Sequence, residues 1–394
     1  MGVMKKKNEN RCKVRKDSTS PLLKLLIICS ILLVVSMNNA TIMGEGFFIF
    51  DEVNTSLLHD VGSGYVLCEQ DGFLYFIVDK SSETDKIKIV DVQQPENPLF
   101  VGSYELEDLE SLVDFKISEN IAYMLTELTI FAEYRFSVAT LNISDPTNPV
   151  RLGSSALERI NSFRADSLEH ISIYKNYTYV SSNELLIFDC SNRSLPVKVA
   201  NYTSTGGYLH INNDFLYLVW NGVTIYSLAD PVNPFYLGEV KSTKHPTTGS
   251  GVYGNYVINS FLDSGIQVYN CTDPTQPTIC GDYDFPEWQL YTEGNIQDME
   301  IVEDRVFTGG GELYIFDISN PQNLKRIARK NFGDQNISRI TVANNYMYLT
   351  ILNNIRIYSN VENSLGRNLG IGIGVGLSVV VGVLLVIWWK KKRG

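Results

Sequence analysis

Four histidines stand in this 394-residue chain, and two of them, His170 and His210, belong to a repeating polar pattern. Seven Asn or Asp residues recur along the sequence: Asp71, Asn120, Asn176, Asp214, Asn255, Asp304 and Asn345. Six and four positions before them stand Tyr65/Leu67, Asp114/Lys116, His170/Ser172, Tyr208/His210, Gly249/Gly251, Asp298/Glu300 and Arg339/Thr341. Two imidazoles, three carboxylates, a lysine and an arginine at equivalent positions could hold a ligand or metal. Asp114, His170, His210 and Asp298 could also serve a hydrolase as acids and bases. A solvated, salt-bridged channel is the plainer expectation. His59 and His245 are not at equivalent positions. No G-x-S-x-G elbow, phosphate-cradling glycine loop, HExxH or Cys/His metal spacing occurs, so no resident cofactor or metal is expected.

These residues must be placed by the elements around them. Three positions before each recurrent Asn or Asp stands Cys68, Ile117, Ile173, Ile211, Val252, Ile301 or Val342, apolar every time. Such a strand turns one face to a core and the alternate, polar face elsewhere. An aromatic-rich strand follows each hairpin, as in Phe73-Leu-Tyr-Phe, and then comes an alternating strand with a proline turn. Gly265–Pro277 reads GIQVYNCTDPTQP, and Phe136–Pro149, Glu184–Pro196 and Glu312–Leu324 repeat it. Asp51, Asp91, Asn142, Asp189, Ser227, Asn270 and Asp317 close these strands at spacings of 40, 51, 47, 38, 43 and 47. Proline fixes φ, and Asp or Asn can accept a hydrogen bond from the backbone two residues on, so Asp-Pro-x-x-Pro reads as a stiff turn. One carboxylate per turn is far too few for calcium. A fourth strand follows each turn, seen as Leu99-Phe-Val-Gly and Phe235-Tyr-Leu-Gly.

Four short antiparallel strands repeated every 40–50 residues predict an all-β, seven-bladed β-propeller. The last unit stops at Ile355–Tyr358 with no fourth strand behind it. The segment Phe47 to about Val61 is expected to supply that strand and close the ring.

The strand-and-turn units resemble LVIVD repeats, found in cell-surface and secreted β-propeller proteins, over most of residues 47–360. Lys86–Tyr104 (KIKIVDVQQPENPLFVGSY) and Gly222–Glu239 (GVTIYSLADPVNPFYLGE) carry the resemblance most clearly, whereas Leu324 replaces the second proline. The resemblance implies a fold and a place, not a reaction.

Charge and hydropathy point to the same place. The net charge is −11, with +6 in residues 1–40, +4 in residues 369–394 and −21 between them. So acidic a body disfavours nucleic acid as a partner. Residues 1–40, a basic stretch followed by the apolar run Leu22–Val35, read as a signal peptide, with a signal anchor as the alternative. Leu369–Trp389 has no charge and precedes Lys390-Lys-Lys-Arg393. Residues 367–389 are therefore expected to form a single transmembrane helix and 390–394 a cytoplasmic tail, leaving 41–366 outside the cytoplasm. Gly370, Gly372, Gly374 and Gly376 provide small-residue spacings for self-association of such a helix.

N-x-S/T sequences at Asn54, Asn142, Asn176, Asn192, Asn201, Asn270 and Asn336 are glycosylation candidates in that compartment. Cys68, Cys190, Cys271 and Cys280 are expected at core-facing positions, and Cys271 with Cys280, on strands joined by one turn, is a disulfide candidate. Longer connections at 105–113, 154–169 and 282–297 add Asp284, Phe285, Trp288 and Tyr291, and such loops on a rigid scaffold are where recognition sits. The expected function is a cell-surface module binding a protein or glycan through its loop-bearing face. The alternatives are a hydrolase at the channel and a structural envelope component.

Overall fold

A computed structural model describes residues 57–359, apart from 79–84, 131–132, 160–169, 183, 204–205, 245, 263, 286–295, 334 and 345. The expected signal peptide, transmembrane helix and basic tail, along with Asn54, Trp288 and Tyr291, lie outside the described residues. No described helix is long and apolar enough to cross a membrane.

The described residues form seven antiparallel sheets, each a blade. In the first blade the strands run in order from an inner strand, Tyr65–Gln70, through Phe73–Val78 and Lys86–Asp91 to an outer strand, Leu99–Glu105. The inner strands of blades two to seven are Glu110–Ser118, His170–Tyr174, Tyr208–Asn212, Thr247–Tyr253, Ile296–Val302 and Ile337–Ala343. Six sheets have four strands. Blade two has five, because its ten-residue third strand, Glu133–Asn142, pairs with both Val150–Ser154 and the short Glu158–Arg159.

The outermost strand of blade seven is the first of the described chain, Leu57–Ser63, paired antiparallel with Asn354–Ser359. The pairing runs from Leu57 opposite Tyr358 to Ser63 opposite Asn354. The described part of this strand starts at Leu57; residues 47–56, the rest of the segment expected to close the ring, lie outside the described residues.

The core is divided among the blades. Seven apolar clusters occupy the seven junctions; Leu74, Phe76 and Val90 of blade one, for example, pack with Tyr348, Ile355 and Ile357 of blade seven. The apolar residues three positions before the hairpins take part as expected, although only Val342 is fully buried. Cys68, Ile117, Ile173, Ile211, Val252 and Ile301 are half-buried against these clusters.

Local chemistry explains the turns. In six blades the residue closing the third strand accepts a hydrogen bond from the backbone N–H two positions on, as Asp91 does from Gln93 at 2.9 Å. The proline turns repeat the device: Asp145 accepts from Thr147, and Asp273 from Thr275, both at 3.0 Å. In the inner hairpins the left-handed residue is the one before the recurrent Asn or Asp, with Glu119, Lys175, Asn213, Gly254, Glu303 and Asn344 all at φ between 52° and 57°. Among the described residues, the recurrent residue itself takes that conformation only in blade one, at Asp71, with Gly72 beside it.

The expected disulfide is absent. Cys271 and Cys280 are free thiols on opposite faces of blade five, Cys271 in the cluster shared with blade four and Cys280 against the cluster shared with blade six. Period-two alternation, shifted by a register irregularity between Val268 and Tyr269, turns the two sulfurs apart.

Strand direction defines two rims. The inner hairpins and the proline turns fall together on one, the turn rim. The blade-to-blade connections and the turns between second and third strands fall on the other, the connection rim.

Candidate functional site

The seven inner strands surround a cavity of about 390 Å³. Asp114, Lys116, His170, His210, Asp298, Glu300 and Arg339 all line it, as do Leu67, Tyr208, Gly249, Gly251 and Thr341. Tyr65 and Ser172 do not; the Tyr65 hydroxyl instead donates to Asn353 Oδ1 at 2.8 Å. Inner strands start at the connection rim, so Asp114, His170, Tyr208, Gly249, Asp298 and Arg339 form an upper tier at that mouth. Lys116, His210, Gly251, Glu300 and Thr341 lie one tier deeper.

Backbone irregularity aims the upper tier. Register shifts fall between Leu112 and Asp114, Thr247 and Gly249, Ile296 and Asp298, and Ile337 and Arg339. A bulge bends its strand and redirects the next side chain. Each of these bulges ends on an upper-tier residue.

Two aspartates do the same job in different blades. Asp114 Oδ1 accepts from Phe115 N at 2.7 Å, and its Oδ2 accepts from Ile171 N, in the next blade, at 2.8 Å. Asp298 Oδ1 accepts from Met299 N and its Oδ2 from Ile340 N, again in the next blade, both at 3.0 Å. Each carboxylate therefore bridges neighbouring inner strands. Their electrostatics differ. Burial pushes Asp114 up, but Lys116, the contact with His170 and the Ile171 N–H outweigh it and hold the carboxyl at about 2. At Asp298 burial dominates over Arg339 and the two backbone bonds, and the pKa rises.

The remaining groups face the lumen. Glu300 is pushed up to about 7 by burial and then by the neighbouring charge of Asp298. Asp114, then the more distant acids, raise the pKa of Lys116 against its own burial. Burial, with repulsion from Lys116, pulls His210 down to about 3, so its imidazole is neutral and its Nε2 lies 2.5 Å from Ser250 Oγ. His170 stacks on Tyr208 with centroids 4.4 Å apart, and its Nδ1 lies 3.5 Å from Asp114 Oδ2. His170 Nε2 is buried with no hydrogen-bond partner among the described residues. Ser250 is the polar lining residue that spacing did not reveal: its equivalents Leu209 and Met299 are buried and apolar, so only the bulge before Gly249 signals it. Among the described residues no three His, Cys, Asp or Glu side chains converge as a metal site.

The blade is also the unit of relatedness. The model of the LVIVD repeat matches residues 167–204 and 293–328. Each match runs from just before an inner strand into an outer one, which is one blade. The chain carries LVIVD repeats within a seven-bladed β-propeller. The LVIVD propeller matches no curated protein. Among solved structures it is similar to a chain of a mitotic checkpoint complex (TM-score 0.56, 8% identity, covering 80% of this chain and 95% of that one). It is also similar to a putative 6-phosphogluconolactonase from Bacteroides fragilis (TM-score 0.53, 10% identity, 68% and 84%) and to the computationally designed Ika8 protein (TM-score 0.50, 10% identity, 77% and 98%). At such identities the likeness is one of fold alone.

Proposed function

We propose that this LVIVD propeller is a cell-surface binding module, held by a single C-terminal membrane span, that takes a protein or glycan ligand over its connection rim. The observation that carries the reading is the coincidence, on that rim, of a polar channel mouth with the roots of the long connections. The connection after Arg159 leads directly into His170, and that after Phe285 into the strand bearing Asp298. Exposed apolar residues accompany them. Leu109 is 76% exposed at φ 67°, and Leu352 is 58% exposed at φ 49°. Side chains held outward in a left-handed conformation are a recurrent feature of recognition surfaces.

The root of the second connection is pinned. Lys244, nearly buried, makes ion pairs with Asp282 and Asp284 and donates to Ser264 O at 2.8 Å. We also infer that Leu57–Ser63, by pairing with the last strand, locks the ring. A hydrolase at the channel has less in its favour: both oxygens of Asp114 and of Asp298 are engaged by backbone, and His170 Nε2 does not open to the lumen. The test is replacement of residues 287–294 by a Gly-Ser linker, which spares Lys244 and its partners. Labelled 41–366 should lose binding to intact cells and glycan arrays while melting at an unchanged temperature. Unaltered binding would place recognition elsewhere and favour a scaffold role.

A further inference from the structure

The glycosylation candidates are not scattered over the propeller. Asn142 ends the third strand of blade two and pairs with Ile121 and Val150; Asn270 does the same in blade five, opposite Tyr256 and Thr278. Asn176 is in the inner hairpin of blade three, and Asn192 in its proline turn. All four are on the turn rim. Asn201 sits midway along an outer strand, opposite Leu186, and donates from Nδ2 to Glu184 Oε2 at 2.9 Å. Among the described candidates Asn336 alone is on the connection rim, just before the inner strand of blade seven, and its Oδ1 is buried.

We propose that the turn rim carries N-linked glycans at Asn142, Asn176, Asn192 and Asn270, and that Asn336 stays bare. The inference rests on the extracytoplasmic reading above and adds which face is covered. Side-chain geometry favours it. Asn142 Oδ1 accepts from Ser144 N at 3.0 Å and Ser144 Oγ at 2.7 Å, and Asn192 Oδ1 accepts from Ser194 N at 3.2 Å and Ser194 Oγ at 2.7 Å. Asn270 Oδ1 accepts from Thr272 N at 2.9 Å. In these three the carboxamide oxygen secures the turn, so a glycan on Nδ2 breaks no hydrogen bond of the fold. The Asn176 side chain is exposed. At Asn336, which is half-buried, the carboxamide oxygen is buried without a hydrogen-bond partner and secures no turn, so this side chain is not presented as the turn-rim ones are.

The chemistry is transfer of an oligosaccharide from a lipid-linked pyrophosphate donor. The C1–O bond to pyrophosphate breaks, a C1–N bond to Nδ2 forms, the lipid pyrophosphate leaves, and the amide loses one proton. Such glycans would lie over apolar surface that the outer strands expose. Val150, opposite Asn142, is 48% exposed; Leu195 follows Asn192 by three residues, and Ile279 adjoins the partner of Asn270. Bulky polar groups there keep the blade edges from associating and leave the opposite rim to the ligand.

The full-length chain, expressed in cells with N-glycosylation, is treated with peptide N-glycosidase in heavy-oxygen water, which marks each formerly glycosylated Asn as labelled Asp. A parallel Lys241→Asn variant completes an N-x-T sequence with Thr243 at an exposed strand end and reports entry into the compartment. We expect label at Asn142, Asn176, Asn192 and Asn270 and none at Asn336. Label at position 241 of the variant, with the four native positions unlabelled, would overturn the covered face and leave the compartment reading standing. Label at Asn336 equal to that of the four would overturn the face selectivity. No label anywhere, position 241 of the variant included, would overturn both readings.

Discussion

Asp114 and Glu300 share one channel yet respond to pH in opposite senses. Asp114 has a folded pKa of about 2, below its ordinary 3.8, so its stabilisation is complete above about pH 4 and is lost as pH falls through 2. Asp114→Ala would leave the N–H groups of Phe115 and Ile171 without their acceptor and should cost about 2–4 kcal/mol at pH 7 in urea unfolding. Asp114→Asn, which keeps one acceptor oxygen, should cost less. Equal stability of all three proteins would show that the carboxylate does not join the blades. Glu300 works the other way, since its folded pKa of about 7 lies above the ordinary 4.5. Its contribution is fully present below about pH 4.5 and disappears as pH rises through 7. The 2.5-unit gap corresponds to about 3 kcal/mol at most, reduced by water in the channel. Glu300→Gln should therefore unfold like the wild type at pH 4.5 and be about 1–3 kcal/mol more stable at pH 8. A difference independent of pH would contradict the assignment. The lumen-facing identity of these residues was legible, because polar positions alternate with apolar ones along each inner strand. Their roles were not. An aspartate that bridges two strands and one that faces a ligand look the same in sequence, and the deciding bulges leave no composition signal.

At the scale of elements, the repeat encodes more than its own turn. Gly102, Gly153, Gly238 and Gly281 occupy the same place in four outer strands, and a Cβ at any of them would collide with backbone carbonyls in the proline turn of the next blade, such as Pro146 O or Ser194 O. Glycine is there for close approach between blades. Blade three has Ala200 instead, and the next turn receives the hydroxyls of Tyr179 and Tyr202, which donate to Pro231 O and Val232 O at 2.7 Å. The pattern LFVG, VRLG, VKVA, FYLG was visible, but its partner across the junction was not, because it lies about one repeat away in sequence. The first strand is the element whose role is most directly testable. Deleting residues 57–63 removes the outer partner of Asn354–Ser359 and exposes an edge there. The truncated propeller should melt in one transition at a clearly lower temperature, and calorimetry matching the wild type would show that the pairing does not hold the ring. Spacing pointed to the segment from Phe47 to about Val61 because Phe47–Leu57 imitates the repeat without a hairpin before it, and the described residues show the pairing of its later part from Leu57 on.

The described propeller has two unlike rims. Stiff Asx and proline turns and four candidate glycan sites share one rim; the channel mouth, the long connections and the exposed Leu109 and Leu352 share the other. Fold class was readable from periodicity because the same strand-and-turn pattern recurs once per blade. A ligand was not, because long connections in a propeller are free to vary while the blades keep their packing. The central claim is that recognition belongs to the connection rim, and site-specific photo-cross-linking on intact cells tests it most directly. A photoreactive amino acid would be placed at Asp108 on the connection rim or at Gln94 on the turn rim, both exposed positions. The account predicts a discrete cross-linked adduct from position 108 and none from position 94, whereas an adduct confined to position 94 would contradict it.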